Sequence, residues 1–408
     1  MSAQPAIAAW YVVFVTTAAQ LVVSMSNLLV PTIAPKVAET LGVDPVLVGY
    51  QVGLTFGAAT IASVYSGIAV MRWGAARTTQ VSMALCLAGL GLLAVPHMGW
   101  MVGGSLIVGA GMGCASPAAA HLIVHHTPAD RRHLMFGIKQ TSVPLGGVLI
   151  SLTAPALAVT VGWQWSLVFI GILAAATLVL AGRGRSAWDA DRQPGSAGSR
   201  FEPFGGVPLV WRQETLRWVA LSATLFSGIQ RILVSFTVVY VVAEGGYGLI
   251  EAGILLSLAQ AGGALARIPM GWLADRVKSG LAVLTMLCLL MIASSVVLVF
   301  LDPAWPKPAV YALFFFLGVS CLGWNGLVHA ECSRLAPPGM VSLVAGGTSF
   351  FVFGGVIVGP PLFSAAYGTI GTYSATLWLM VILAVAALVL LYLAFRSGRD
   401  ARSPGGRS

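Results

Sequence analysis

The sequence predicts an all-α membrane protein, with twelve transmembrane helices arranged as two pseudo-symmetric six-helix bundles. Three observations point there. Of the 408 residues, 58% are hydrophobic and only 9% are charged, far below the quarter or so of charged residues in a soluble domain. Apolar runs of about 20 residues, the length a helix needs to cross the hydrocarbon core, recur along the whole chain and favour helices over the alternating strands of a barrel. The second half also repeats the first. A shift of 204 residues lays Gly42 on Gly246, Gly49 on Gly253, Gly67 on Gly271 and Arg72 on Arg276, and a shift near 208 lays His121 on His329.

The first-half spans read as 9–31, 46–71, 78–96, 98–124, 134–160 and 164–182. No basic stretch precedes the first, which reads as a retained helix and not a cleaved leader. The second stops at Arg72, the third begins beyond Arg77, and the fourth runs into the polar loop "HHTPADRRH" (125–133). Pro144, Gly146 and Gly147 in the fifth mark a kink and close packing. The sixth ends at Arg183. A segment rich in Gly, Ser, Pro and charge then reads as a flexible cytoplasmic linker over 183–216, separating a bundle at 1–182 from one at 217–396 and a tail at 397–408.

The second-half spans read as 217–243, 250–273, 279–301, 307–330, 341–367 and 373–396. Gly354, Gly355, Gly359, Pro360 and Pro361 in the eleventh repeat the packing signal of the fifth, and "TSVPLGGVL" (141–149) resembles "TSFFVFGGVIV" (348–358). Lysine and arginine placement sets the orientation. With the N-terminus inside, the outer loops hold only Lys36 and Lys307, while the inner loops collect the arginines. Both termini are therefore expected in the cytoplasm of an inner (plasma) membrane protein.

Loop motifs after the second and eighth spans carry a family resemblance. "GWLADRVK" (271–278) has Gly271, Asp275 and Arg276 in the register Gly-x-x-x-Asp-Arg; in "GIAVMRWGAAR" (67–77), Gly67, Arg72, Gly74 and Arg77 fit, but Met71 stands in place of the aspartate. With two six-helix halves and a central linker, the chain resembles the major facilitator superfamily over essentially its full length. The resemblance implies alternating access, with spans 1, 4, 7 and 10 lining the cavity, and gating by Asp275, Arg276 and Arg72. Arg267, one turn before the motif, is similar in register to the eighth-span arginine of the organic-anion and monocarboxylate branches, where it binds the substrate carboxylate.

Three cations lie within spans, Lys139, Arg231 and Arg267, while no carboxylate lies deep in any. An intramembrane charge costs at least about 2.5–3.5 kcal/mol and generally marks a pathway. Buried charge needs a partner, and a substrate anion supplies one. Arginine's planar fork suits a carboxylate. Gln20, Ser24 and Asn27 form one helical stripe, and Thr224, Gly228 and Arg231 form the matching stripe of the seventh span. Lys139, Gln140, Trp324 and Asn325 complete the candidate substrate-binding set. His121 and His329 are candidates for a coupling proton.

The expected function is secondary transport of a small organic anion. The alternative is a proton-coupled multidrug or cation exporter, whose chemistry wants a membrane-embedded carboxylate. No nucleotide-binding loop or nucleophile constellation suggests an enzyme, and no cofactor or metal is expected. The five cysteines stand singly. The scattered basic residues form no patch suited to nucleic acid. The expected partners are the anionic substrate, membrane lipid and a coupling proton, with the protein acting as a monomer.

Overall fold

A computed structural model describes residues 4–127, 132–190, 192, 206–337 and 340–400, among which there is no strand. Among the described residues, twelve helices are long and apolar enough to cross a membrane. Their limits follow the hydropathy reading closely: the first is Ala9–Thr32 and the seventh Glu214–Ala243. The chain separates into two compact units, Met1–Phe201 and Glu202–Ser408.

The N-terminal unit holds α1 (Gln4–Thr32), a short α2 (Ala34–Leu41), α3 (Val48–Trp73), α4 (Ala75–Leu93), α5 (Met98–His126), α6 (Arg132–Thr160), α7 (Gln164–Arg183) and one turn of helix, α8 (Arg185–Trp188). Without a hydrophobic force between helices in lipid, small residues bring the backbones together. Glycine is required where α5 crosses α3, because a Cβ at Gly109 would lie 2.2 Å from the carbonyl oxygen of Thr55. Along α1, a Cβ at Gly146 of α6 would stand 2.9 Å from that of Ser24.

The C-terminal unit holds α9 (Gly206–Arg212), α10 (Glu214–Ala243), α11 (Leu249–Val277), α12 (Gly280–Val299), α13 (Lys307–Leu322), α14 (Asn325–Leu335), α15 (Val341–Ile370), one turn at α16 (Tyr373–Thr376) and α17 (Trp378–Asp400). It repeats both glycine seams. A Cβ at Gly318 of α13 would meet the Ala259 carbonyl of α11 at 1.9 Å, and one at Gly355 of α15 would meet the Thr224 carbonyl of α10 at the same distance. The tenth span is broken at Gly323 and Trp324, where α13 gives way to α14.

Composition marks the segment after α7 as flexible, yet its first residues are docked. Trp188 is buried beside Tyr11, their ring centroids 5.4 Å apart. Asp189 is buried as well, and its Oδ1 accepts the Ala76 backbone N–H at 2.7 Å. That carboxylate satisfies an N–H that the first turn of α4 leaves without a helical partner. At the other side of the linker, α9 rests on α15 with Val210 fully buried. Residues 128–131 of the "HHTPADRRH" loop lie outside the described residues.

Candidate functional site

In the C-terminal unit, three helices converge on the break in the tenth span. Asn325, the first residue of α14, donates from Nδ2 to Gln230 Oε1 of α10 at 3.1 Å and to the Leu322 carbonyl at 3.4 Å. On the other flank a Cβ at Gly323 would stand 3.0 Å from that of Ala266 on α11. Each contact places a cation next door in sequence, Arg231 beside Gln230 and Arg267 beside Ala266. Beside the break, a Cβ at Gly326 would meet nothing within 4 Å.

Arg267 is half-buried. The exposed apolar face of α11 carries Leu265, Ile268 and Trp272. At about 100° per residue, Arg267 projects about 100–160° around the helix from these residues, in one stripe with Gln260 and Gly263. Its Nε is buried and has no hydrogen-bond partner. None of the ion pairs among the described residues involves Arg267 or Lys139. Arg231 is half-buried near the middle of α10.

Nearby carboxylates are engaged at helix ends. Glu331 is buried near the end of α14 and paired with Arg334 one turn on, Arg334 Nε reaching Oε2 at 3.1 Å. Glu244 closes α10 and accepts the backbone N–H groups of Tyr373 and Ser374, at 2.5 and 2.8 Å. Glu251 pairs with Lys307.

Two expectations change here. Thr224 and Gly228 share a stripe with Arg231, but that stripe is a packing surface: Thr224 Oγ1 donates to the Phe351 carbonyl at 3.1 Å, and Gly228 lies against Gly355 and Gly359. Trp324 does not line open space. It is 1% exposed, its indole N–H donates to the Cys321 carbonyl at 2.9 Å, and its ring packs on Phe226. Asn325 is half-buried and open to the break. Gln230, which the sequence reading passed over, is the residue that ties α10 to it; its signal was a second polar side chain beside Arg231 in an apolar helix.

The motif residues Asp275 and Arg276 are exposed at the end of α11, with Arg276 over the Trp272 ring at 5.2 Å. His329, also exposed, lies four residues beyond Asn325 on the same face of α14.

In the N-terminal unit the amides follow another pattern. Gln20 is half-buried and accepts from Ser116 Oγ of α5 at 3.4 Å. Asn27 is 7% exposed, its Oδ1 buried with no hydrogen-bond partner. Lys139 is 6% exposed and so is packed within the unit, while Gln140 beside it is exposed. His121 stacks on His125 with centroids 4.2 Å apart. Arg72 is exposed at the end of α3. No group of three His, Cys, Asp or Glu among the described residues is arranged to hold a metal.

Comparison with known proteins gives a consistent picture. The family model described as Major Facilitator Superfamily matches residues 13–360. Uncharacterized MFS-type transporters from two strains of Mycobacterium tuberculosis, CDC 1551 and H37Rv, are 27% identical over 299 residues, covering 71% of this chain. The match spans 65% of those relatives' own length. Among solved structures, a bacterial homologue of the human lysosomal transporter Spinster, inward-facing and unoccupied, superposes with a TM-score of 0.77 at 16% identity, covering 98% of this chain and 99% of that one. A POT family transporter in complex with 5-aminolevulinic acid gives 0.78 at 11% identity, covering 96% of each. At such identities the likeness is one of fold.

Proposed function

Since the chain belongs to the Major Facilitator Superfamily, whose members are transporters, we propose that it is a secondary transporter carrying a small organic anion, most simply a carboxylate, by alternating access. The observation that supports this is Arg267: a half-buried arginine, its Nε buried without a partner, beside a helix break that offers open space. A carboxylate is the natural complement of that fork.

The break adds to the attraction. At α14 the backbone N–H groups of the first turn have no side-chain cap, and the dipole of the half-helix presents its positive end there. Discontinuous helices serve anion binding in transporters in this way. Arg231 contributes a second charge, and the Gln230–Asn325 pair fixes the position of the break. Within the N-terminal unit, Lys139, Gln20, Asn27 and Gln140 are the candidates for substrate contact, and Asp275, Arg276 and Arg72 are the candidates for gating. His329, on the Asn325 face of α14, and His121 in the N-terminal unit are the candidates for a coupling proton. The basic inner loops support a plasma-membrane protein with both termini cytoplasmic.

A thermal-shift screen of the purified protein against carboxylates, inorganic anions and lipophilic cations tests the reading. Stabilisation by carboxylates is expected, since a ligand at a hundred times its Kd adds about 2.7 kcal/mol. Stabilisation by lipophilic cations alone would overturn it.

A further inference from the structure

A second cationic site lies at the corner of the N-terminal unit where α7 ends and α4 begins. Arg77, Arg185, Ser186, Asp189, Ala190 and Arg192 line a polar recess of about 300 Å³. Three guanidiniums stand there against one carboxylate. That carboxylate is already committed, because Asp189 Oδ1 holds the Ala76 N–H at 2.7 Å. Its other oxygen, Oδ2, is buried without a hydrogen-bond partner and sits 3.9 Å from Arg77 Nε, itself buried and unpartnered. The distance exceeds that of a hydrogen bond. Two polar groups face each other without closing, and Arg185 and Arg192 remain exposed at the rim.

The corner is rigidly held. Gly74 takes φ +100°, and a Cβ there would lie 2.2 Å from the Asp189 carboxyl carbon. Trp188 anchors the next residue in an apolar cluster with Val12, Leu122 and Met135. Arg77 and Arg185 are thus carried on helices packed at this corner, and Arg192 follows the docked Asp189.

We propose that this recess binds a phosphate-bearing anion, held by forked contacts from Arg77, Arg185 and Arg192, with Asp189 keeping Arg77 in place. Arginine is suited to phosphate because its donors match two phosphate oxygens at once. The phosphate comes from a lipid headgroup or from solution, and one experiment separates these sources. The proposal is independent of the cargo, since none of its residues belongs to the helix-break site.

The test is the unfolding temperature of the full chain in three settings: phosphatidylcholine nanodiscs alone, the same nanodiscs with inorganic phosphate, and nanodiscs containing phosphatidylglycerol. Wild-type protein is expected to be stabilised in at least one of the last two, the responding arm naming the source. The double variant Arg185→Gln, Arg192→Gln should need at least about tenfold more anion, the loss of roughly one charge-assisted contact. Lysine at both positions, which keeps charge but loses the fork, should fall between, and it guards against a folding defect in the glutamine variant. Arg212→Gln, outside the recess, should respond like wild type. No response in either arm, an unchanged double variant, or an equal loss in Arg212→Gln would overturn the proposal.

Discussion

In the N-terminal unit Ser24 of α1 meets Gly146 of α6, while in the C-terminal unit Gly228 of α10, 204 positions later, meets Gly355 and Gly359 of α15. One turn further along each helix the copies part: the first carries Asn27, a buried neutral amide, and the second carries Arg231. The packing repeats, but two of the three cations within spans, Arg231 and Arg267, lie in the second unit. Among the described residues, it is there that the partner span is broken and tied by an amide pair, Gln230 with Asn325. Packing symmetry and chemical symmetry are therefore separate, and a glycine seam marks where helices touch without saying what they bind.

The seams are where the comparison breaks most easily. Gly355→Ala would press a methyl to 1.9 Å from the Thr224 carbonyl and 2.2 Å from Ser227 Oγ, contacts that backbone and a committed hydroxyl cannot relieve. It should cost about 3 kcal/mol or more, the upper end of overpacking. Gly146→Ala meets the Ser24 side chain at 2.9 Å and should cost nearer 1 kcal/mol. Unfolding in detergent compares the two, and equal losses would deny that the second seam is the tighter.

Arg231→Asn makes the second copy imitate the first at the position that distinguishes them. Anion flux in proteoliposomes should fall about tenfold or more, the worth of a charged hydrogen bond. Asn27→Ala should change it less. The reverse order would move the chemistry into the N-terminal unit.

A smaller effect is expected at Asp189, which lies far from either seam. Losing the cap in Asp189→Ala should cost about 1 kcal/mol, whereas Asp189→Asn keeps an oxygen for Ala76. Burial raises the Asp189 carboxyl above its ordinary range, against the lowering effect of the Ala76 and Arg77 backbone N–H groups and the two nearby arginines. A raised folded value means stability present at low pH and lost as pH rises through the folded pKa. Wild type should therefore gain on Asp189→Asn as the solution is acidified from neutral through that raised range. A pH-independent difference between the two would contradict the burial of the charge.

Much of this fold could be read from the chain. Hydropathy located the spans because crossing a bilayer imposes a length, and the glycine pairs at 146–147 and 354–355 announced close helices. Periodicity placed Thr224, Gly228 and Arg231 on one stripe, but a stripe does not name its neighbour, and α15 covers most of it. Trp188 and Asp189 were hidden by the polar composition around them, since one aromatic ring and one cap suffice to dock a segment. Tryptophan suits both a cavity wall and a core, and for Trp324 its burial and its satisfied N–H separate the two.

Of the proposed substrate contacts, Arg267 carries the most weight. Uptake of a labelled carboxylate into proteoliposomes should be abolished by Arg267→Ala and only partly restored by Arg267→Lys, with both variants still folded by their unfolding transitions. Wild-type uptake in folded Arg267→Ala would contradict the anion reading directly.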